Sequence, residues 1–536
     1  MPGRKKNGRL PGAQGTAELR AVLWRAADKL RGSMDAALYK DFVLGLVFLK
    51  YVNDAFAERR DQVRAGLRAD GVPESRLAES LDDKDAYARA GVFWVPADAR
   101  WDRLAARAEN AGAGAGELID GAMDAIMTAN ASLAGVLPKI FGRGNVDQRR
   151  LGELVGLIGD ARFTGHGPQR ARDVLGEVYE YFLEMFARAE GKRGGEFYTP
   201  ASVVKVLVEV LEPYSGRVYD PCCGSGGMFV QAEKFVLARR GRRDDLTVYG
   251  QESNERTWRL ATMNLAIHGI DANLSSGPED TFFADRHPGL KADFILANPP
   301  FNMSDWAREA DDPRWRYGVP PAGNANFAWL QHIVGKLGPD GSAGVVLANG
   351  SMSARQSGEG AIRAALVEAD LVACMIALPP QLFRTTQIPA CLWFFSADKG
   401  PRAAGRPTDR RGDILFIDAR SAGTLLDRTE RVLTEADIAR IAGTYHAWRG
   451  TASARAGGLK YADIPGFCYS ASLGEVRAHD HVLTPGRYVG AAESGDPDGE
   501  PLAEKIDRLT GELRTCFAES ARLEQVIRGQ LERLDA

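Results

Sequence analysis

Two short stretches carry residue types that could do chemistry together. In residues 218–228 (VYDPCCGSGGM), an apolar run ends at Asp220 and passes into a glycine-rich loop. Glycines let the backbone approach a ligand without a Cβ clash, so this loop predicts a nucleotide-sized pocket. In residues 297–302 (ANPPFN), an amide, two prolines and an aromatic ring follow an apolar run. Because α/β sheets bind ligands where their strands end, the two stretches together indicate one site.

The two motifs resemble those of a known enzyme family. DPCCGSGG (residues 220–227) and NPPF (residues 298–301) are similar to the cofactor and catalytic motifs of S-adenosylmethionine-dependent DNA adenine-N6 methyltransferases. From about Leu23 to the C-terminus, the chain looks more closely like the modification subunit of Type I restriction-modification systems. The resemblance implies S-adenosyl-L-methionine as cofactor and double-stranded DNA as substrate. It also implies a specificity subunit and a restriction subunit as partners, with two modification subunits for each specificity subunit.

The resemblance also assigns roles to individual residues. The catalytic positions are Asn298, Pro299, Pro300 and Phe301, and the cofactor-binding positions are Glu196, Phe197, Tyr198, Thr199, Pro200, Asp220, Gly224, Ser225, Gly226, Gly227, Glu252, Asp280 and Thr281. Glu252 has independent support, because dinucleotide-type folds place a ribose-binding acid at the end of the second strand. In the family, an acid at the third strand end, here Asp280, holds the adenine amino group of the cofactor.

The segment GEFYTP (residues 195–200) has two interpretations. It resembles the family segment that lies over the cofactor just before the glycine loop. From the pattern alone it is equally a loop between two helices, with Thr199 as the N-cap and Pro200 in the first turn of the next helix. Its position ahead of the glycine loop favours the cofactor role.

The NPPF residues suit methyl transfer to an amine. An exocyclic adenine amine is a poor nucleophile, since its lone pair is delocalised into the ring. The side-chain oxygen of Asn298 and the carbonyl of Pro299 could accept its two N–H groups and draw the nitrogen toward tetrahedral geometry. Pro300 stiffens the turn, and Phe301 offers a ring on which an extruded base can stack. A sulfonium donor is already activated, so no metal is expected.

Other functions remain open on the motifs alone. An NPP turn by itself is a good loop former, and RNA or protein-glutamine methyltransferases carry similar motifs on the same fold. Asn298 in place of a serine argues against cytosine-N4 methylation. A catalytically silent assembly protein is a further alternative, which the intact Asn298, Phe301 and Glu252 disfavour. The helical region ahead of the motifs and the coiled-coil tail behind them favour the Type I interpretation.

Composition narrows the class of protein. The 536 residues carry a net charge of −3 with 45% hydrophobic residues, so DNA contact must come from a local patch or a partner subunit. Six cysteines without CxxC or CxxH spacing argue against a zinc site and a disulfide framework. The apolar run at residues 42–49 is too short to cross a bilayer, and no signal-peptide core follows the basic start. We therefore expect no membrane contact and a cytoplasmic location.

The periodicity of apolar residues predicts three domains. Helical spacing at residues 17–30, 36–56 and onward to about 160 indicates an N-terminal helical domain, residues 1–165. Strands and helices then alternate, which predicts a doubly wound, mainly parallel Rossmann-like α/β methyltransferase domain, residues 166–490. Within it, residues 413–418 (DILFID) read as an added edge strand, and residues 302–324 form a long substrate-facing loop.

The last domain, residues 491–536, is a linker followed by one amphipathic helix. Apolar residues there recur at alternating spacings of 4 and 3, interrupted once by serine: Leu502, Ile506, Leu509, Leu513, Cys516, Ser520, Leu523 and Ile527. Such a seam is typical of a coiled coil between chains, although docking on its own chain is the alternative. In the family, this tail meets the helical spacers of the specificity subunit.

Overall fold

The structure is a computed structural model that describes residues 36–110, 114–143, 147–159, 171–190, 199–239, 241–242, 245–383, 389–401, 408–491 and 502–532. The predicted helix at 17–30 lies outside these residues, as do Glu196, Phe197, Tyr198 and the linker at 492–501. The remaining predicted site residues are all described.

The N-terminal region is helical. Its described helices are α1 (Ala36–Ala69), α2 (Glu74–Ser80), α3 (Asp85–Ala88), α4 (Trp101–Asn110), α5 (Ala115–Ala129), α6 (Gln148–Gly159) and α7 (Ala171–Glu190). Helix α1 buries one wide face that includes Phe42, Leu46 and Leu49, and Phe42 packs edge-on against Phe141 with ring centroids 4.6 Å apart. Up to residue 190, the described ranges contain no strand, which agrees with the helical periodicity of the sequence.

The following region is built on one sheet. Its strands are β1 (Gly216–Asp220), β2 (Leu246–Gly250), β3 (Ala272–Asn273), β4 (Ala292–Ala297), β5 (Leu337–Ala348), β6 (Val372–Ala377), β7 (Ala390–Ser396) and β8 (Asp413–Asp418), with the hairpin strands β9 (Thr424–Leu425) and β10 (Arg431–Val432) outside the sheet and β11 (Cys468–Ser472) within it. The order is β11-β8-β6-β7-β5-β4-β1-β2-β3. Only β7 and β11 run antiparallel to their neighbours.

Helices cover both faces of this sheet. They are α8 (Ala201–Leu211), α9 (Gly227–Ala238), α10 (Glu255–His268), α11 (Asn326–Lys336), α12 (Glu359–Glu368), α13 (Glu435–Arg449), α14 (Ala452–Ala456) and α15 (Leu473–Ala478). Successive residues of a strand belong to different cores: Leu296 packs in one cluster and Ile295 in the other. This alternation of sides is what a buried strand covered on both faces requires, and it confirms the doubly wound α/β class.

The register of the strands brings the chemical motifs to one edge. β1 lies parallel to both β2 and β4, with Val218 paired to Val248 and to Phe294. β4 is in turn parallel to β5. The loops that follow Asp220, Gly250 and Ala297 therefore all leave the carboxyl edge of the sheet, where the sequence predicted a shared site.

The prediction of an edge strand at residues 413–418 was wrong. β8 is covered on its outer side by β11, which pairs antiparallel with it along its whole length. β11 has the sequence CYSAS, whose small and polar residues give no strand pattern of their own. Beyond it, Tyr488 stacks on Phe416 with ring centroids 3.8 Å apart, so the chain after β11 also closes over the sheet.

The C-terminal segment forms a single long helix, α16 (Leu502–Glu532). Among its described side chains, Ile506, Leu509, Leu513, Phe517 and Leu523 are all exposed. Docking on the rest of its own chain is thus not seen for this part of the helix. Across the described residues, every helix is too short or too polar to span a bilayer.

Candidate active site

The glycine loop after β1 is fixed by its backbone conformation and by a side-chain hydrogen bond. Gly224 and Gly226 have φ angles of 55° and 78°, which an L side chain adopts only with strain. Gly226 starts helix α9, and a Cβ there would come 3.3 Å from Leu265. Asn264 fixes the loop from below, because its Nδ2 donates to the carbonyl of Ser225 at 2.8 Å. These contacts fix the backbone conformation of the loop and therefore the directions of its N–H groups.

Two buried carboxylates flank this loop. The Oδ1 of Asp220 accepts the N–H of Cys222 at 3.0 Å. The Oε2 of Glu252 accepts the N–H of Gly224 at 3.1 Å, and its Oε1 accepts that of Asn254 at 2.8 Å. Asp220 is only 1% exposed and Glu252 6%. The structure thus brings the first and second strand ends together, as the sequence predicted.

Burial shifts the acid–base behaviour of these groups. Desolvation, opposed by the N–H of Cys222 and assisted by the charge of Glu252, raises the pKa of Asp220 to about 7. Desolvation likewise raises the pKa of Glu252, against the backbone N–H groups that favour its ionised form. It also raises the pKa values of the Cys222 and Cys223 thiols, so neither side chain is a reactive thiolate.

Asp280 and Thr281 complete this side of the site. The hydroxyl of Thr281 donates to the carbonyl of Pro221 at 2.6 Å, which ties their turn to the glycine loop. Asp280 does not follow the third strand directly, because β3 ends at Asn273 and a turn of several residues intervenes. Its Oδ1 accepts two backbone N–H groups, from Phe282 and Phe283, at 2.7 and 3.0 Å.

These contacts fit a cofactor that carries positive charge and hydroxyl groups. Two carboxylates that are crowded and desolvated gain most from a cation or from several hydrogen-bond donors. S-adenosylmethionine offers both, as a sulfonium and a ribose. The open glycine loop leaves room beside them, since a Cβ at Gly227 would meet nothing within 4 Å. Asp220, Glu252 and Asp280 are therefore suited to hold it.

The side-chain amide of Asn298, predicted to be catalytic, has an unusual hydrogen-bond pattern. Nδ2 of Asn298 donates to the hydroxyl oxygen of Thr199 at 2.9 Å. Among the residues that the structure describes, Oδ1 of the same amide is buried and has no hydrogen-bond partner. A buried acceptor left without a donor costs about 1–3 kcal/mol, so it marks a place where a ligand donor is expected. Thr199 fixes the amide orientation that presents this oxygen.

The contact of Thr199 corrects one expectation. Its side chain does not cap helix α8, whose N-cap is Pro200 and which has no side-chain cap hydrogen bond. The hydroxyl instead holds Asn298, 99 positions along the chain. A capping pattern and a tertiary contact compete for the same oxygen, and only the folded chain decides between them.

Phe383 is a site residue that sequence reasoning missed. Its ring meets that of Phe301 edge-on, with centroids 5.9 Å apart, so two aromatic rings line the space beside the NPPF turn. The sequence analysis assigned base stacking to Phe301 alone, and Arg384, the residue after Phe383, lies outside the described residues.

The predicted substrate-facing loop begins at the same turn. Asn302 has a φ of 54°, and its Oδ1 accepts from Nδ2 of Asn326 at 2.9 Å. Farther along, Trp306 and Trp315 pack around Phe282 in a small aromatic cluster. The loop is therefore anchored at both ends and joined to the turn that carries Asp280 and Thr281. Among the side chains that the structure describes, none cluster as metal ligands.

Two family models match the chain. Residues 170–496 match the model described as N-6 DNA Methylase. Residues 19–158 match the model of the HsdM N-terminal domain. The first match spans both strand ends and the NPPF turn, so it covers all the predicted site residues.

Relatives of known function are similar over most of the chain. The Type I restriction enzyme HindI methylase subunit of Haemophilus influenzae is 49% identical over 82% of this chain and 99% of its own length. The MjaIX methylase subunit of Methanocaldococcus jannaschii is 36% identical over 97% of this chain and 92% of its own.

Solved structures agree. The crystal structure of a type I restriction-modification methyltransferase subunit from Streptococcus thermophilus superposes with a TM-score of 0.72 at 25% identity, covering 89% of this chain and all of that one. A chain from a type I assembly has the same fold at 18% identity, with a TM-score of 0.61. The helical region and the sheet thus recur together in one architecture.

Proposed function

The chain belongs to the N-6 DNA methylase family, among the methylase subunits of type I restriction enzymes, and from this we propose that Asn298 is the residue that activates the adenine. The protein is an adenine-specific DNA methyltransferase that uses S-adenosyl-L-methionine. The observation that carries the assignment is the buried Oδ1 of Asn298, which has no donor in the described part of the chain while Thr199 holds the other end of the amide.

The chain's own groups perform distinct tasks in this reaction. Oδ1 of Asn298 accepts one N–H of the adenine amine, and the carbonyl of Pro299 accepts the other. Both bonds strengthen as positive charge develops on the nitrogen, so they stabilise the transition state more than the ground state. Phe301, with Phe383 beside it, supplies a surface for an extruded base.

The cofactor side has a separate task. We assign binding of the ribose and the sulfonium region to Asp220 and Glu252, with Asp280 on the adenine, and loop contacts to Gly224, Ser225, Gly226, Gly227 and Thr281. The cofactor supplies an activated methyl group when it is bound. The segment from Glu196 to Pro200 is proposed to cover it, and Thr199 adds a direct link to the catalytic amide.

An assay of substrate class tests this function. The chain, assembled with its specificity subunit, is incubated with tritiated cofactor and with duplex DNA, RNA or protein. We expect label only in DNA, and recovery of N6-methyladenine after digestion. Label in RNA or on protein glutamine would favour the alternative that the motif alone left open, which the DNA-methylase relatives do not favour.

We propose the domain division 1–165, 166–490 and 491–536. It is supported by the two family matches, which part between residues 158 and 170, and by the change from helices to a sheet. Because its substrate is DNA, we also propose that the chain works in the cytoplasm.

The partners are assigned through the tail. We propose that α16 pairs with helical spacers of a specificity subunit. Two modification subunits would bind each specificity subunit, and a restriction subunit would join them for cleavage. The exposed apolar seam of α16 supports this, since an isolated helix of this kind needs a second helix. A chain lacking residues 502–536 should fold and bind cofactor but fail to co-purify with the specificity subunit.

A matched pair of variants makes that test specific. Leu509→Lys with Leu513→Lys charges the seam, whereas Gly511→Lys with Ala518→Lys adds the same charge outside it. Assembly should be lost in the first pair only. Normal assembly of the seam variant would contradict the proposed contact.

A further inference from the structure

A short hairpin stands at the same edge of the sheet as the catalytic turn. Strands β9 and β10 pair antiparallel, with Leu425 opposite Arg431, and the N–H of Leu426 donates to Glu430 at 2.8 Å near the tip. The hairpin follows β8, which is parallel to β6. β6 is antiparallel to β7, and β7 to β5, so β8 points the same way as β4 and β5. The chain therefore enters the hairpin from the carboxyl edge.

The hairpin is bonded directly to the wall of the base pocket. The N–H of Arg431 donates to the carbonyl of Gln381 at 2.9 Å. Nε2 of Gln381 donates in return to the carbonyl of Arg428 at 3.1 Å. Gln381 lies two residues before Phe383, whose ring contacts Phe301. The hairpin is thus hydrogen-bonded to the chain segment that also carries Phe383.

Polar contacts hold the base and the tip of the hairpin. Oδ2 of Asp437 accepts the N–H groups of Gly423 and Thr434 at 3.1 and 2.8 Å, which closes the base. At the tip, Oδ1 of Asp427 accepts those of Thr429 and Glu430 at 2.7 and 2.9 Å. Leu433 at the base is buried in the core, whereas the tip is held by these polar contacts.

Two adjacent leucines at the tip face solvent. Leu425 is 55% exposed and Leu426 60% exposed, and the neighbouring Arg428 is exposed as well. Exposed apolar side chains grouped beside a functional site mark contacts with a partner. Enzymes that extrude a base must separate it from its stack, and apolar wedges such as leucine are used by proteins to do so.

We propose that Leu425 and Leu426 pack against the base pairs that flank the extruded adenine, with Arg428 at the phosphate backbone. This role rests on the DNA methyltransferase function and adds a positioning element to it. The occupant is DNA and not a protein partner, because the hairpin is bonded to the segment that carries Phe383, beside the turn proposed to receive the base. The seam proposed for protein assembly lies elsewhere, on α16.

The test uses the complete complex and a duplex whose target adenine is replaced by 2-aminopurine, which fluoresces when unstacked. The recognition site is first mapped as methylated adenine in host DNA. For Leu425→Ser with Leu426→Ser, we expect the fluorescence gain on binding to fall and kcat to drop about tenfold, as the cost of unstacking is no longer offset. Cofactor affinity should not change. Leu459→Ser, at a leucine that is also 50% exposed, is the control and should match the wild type.

A second substrate separates a wedge from a merely structural role. A mismatch opposite the target lowers the cost of extruding the base. The double variant should then regain most of its lost rate, while the wild type gains little. An unchanged rate on paired DNA, or an equal deficit on mismatched DNA, would overturn the proposal. Loss of assembly with the specificity subunit would overturn it too, because the hairpin would then be a protein contact. Absence of methylation by the wild type would instead contradict the function itself.

Discussion

The two halves of the site differ in how far the folded chain completes them. On the cofactor side, the carboxylates of Asp220 and Glu252 each accept backbone N–H groups, and the loop between them is fixed. On the proposed base side, the buried oxygen of Asn298 has no donor within the described ranges. The contacts described for the proposed cofactor pocket are therefore made within the chain, whereas we propose that a substrate N–H group completes the base pocket.

The two halves also carry different kinds of free-energy cost. The cofactor side holds two desolvated carboxylates, and burial raises the pKa of both. The base side holds an unsatisfied neutral amide, which costs less but is aligned for the reaction. Binding energy from the cofactor can offset the first cost, and the transition state relieves the second. Variants that touch one half only should separate these effects.

The largest effect is expected at Asn298. Asn298→Ala removes the acceptor that draws out the amine, so kcat should fall by at least about 10³-fold. Cofactor affinity, measured by calorimetry, should stay within about twofold, because the cofactor half is closed by its own contacts. Asn302→Ala, in the same loop, should lose much less activity. Appreciable methyl transfer by Asn298→Ala would remove the distinction between the two halves.

A variant of Asp220 should reveal how much the buried carboxylate destabilises the folded chain. Its pKa is about 7 in the folded chain, against about 3.9 for an exposed aspartate. Below about pH 4 the group is protonated in both states, and the stability it contributes is lost as the pH rises toward about 7. The asparagine of Asp220→Asn does not titrate, so its stability does not fall in this pH range. Near pH 8 the cofactor-free variant should therefore be more stable than the wild type by about 2–4 kcal/mol.

Urea unfolding across pH measures this difference. The gain should shrink toward zero near about pH 4, while the affinity of Asp220→Asn for cofactor is lower. Asp271→Asn, at an exposed aspartate, should show neither change. A difference that does not vary with pH would mean that the Asp220 carboxylate is not destabilised in the folded chain.

Glu252 tests whether the cofactor half can fail by itself. Glu252→Gln places an amide N–H group against the N–H of Gly224 or Asn254, so the Kd for cofactor should rise about 10- to 100-fold. At saturating cofactor, kcat should recover to near the wild-type value, since Asn298 is untouched. Glu255→Gln, at an acid that pairs with Arg259 on the surface, is the matched control. If kcat stayed low at saturating cofactor, Glu252 would also affect the base side, and the two halves of the site would not be independent.

Thr199 is the one described side chain from the predicted cofactor segment that bonds to the catalytic amide, and its effect should be the smallest. Thr199→Val removes the acceptor for Nδ2 of Asn298, so kcat should fall about tenfold as the amide loses its orientation. Thr199→Ser keeps the hydroxyl and should restore the rate. A loss in Thr199→Ser with none in Thr199→Val would show that the methyl group, and not the hydrogen bond, is what matters.

Local patterns were enough to predict the reactive strand ends. The glycine spacing after Asp220, the acid at Glu252 and the NPPF turn each depend on residues close together in sequence, and the structure places all three at one edge. The alternation of strands and helices likewise predicted the doubly wound sheet, because each strand and helix of a parallel α/β unit has its own periodicity.

Features that depend on distant pairing were not predictable. The hydroxyl of Thr199 could cap a helix or bind Asn298, and only the tertiary structure selects the second. β11 has no strand pattern and forms because β8 offers it an edge. Phe383 was missed since loop length, and not residue type, determines which side chain reaches Phe301. Sequence alone does not specify these contacts.

The exposed stripe of α16 has a consequence for turnover in the cell. Until another helix covers it, the apolar stripe of Ile506, Leu509 and Leu513 is open to proteases and to other copies of the chain. We expect surplus copies to be degraded or to aggregate, while those in a complex survive. The dosage of active methyltransferase would then follow the synthesis of its partner, with no separate control of its own gene.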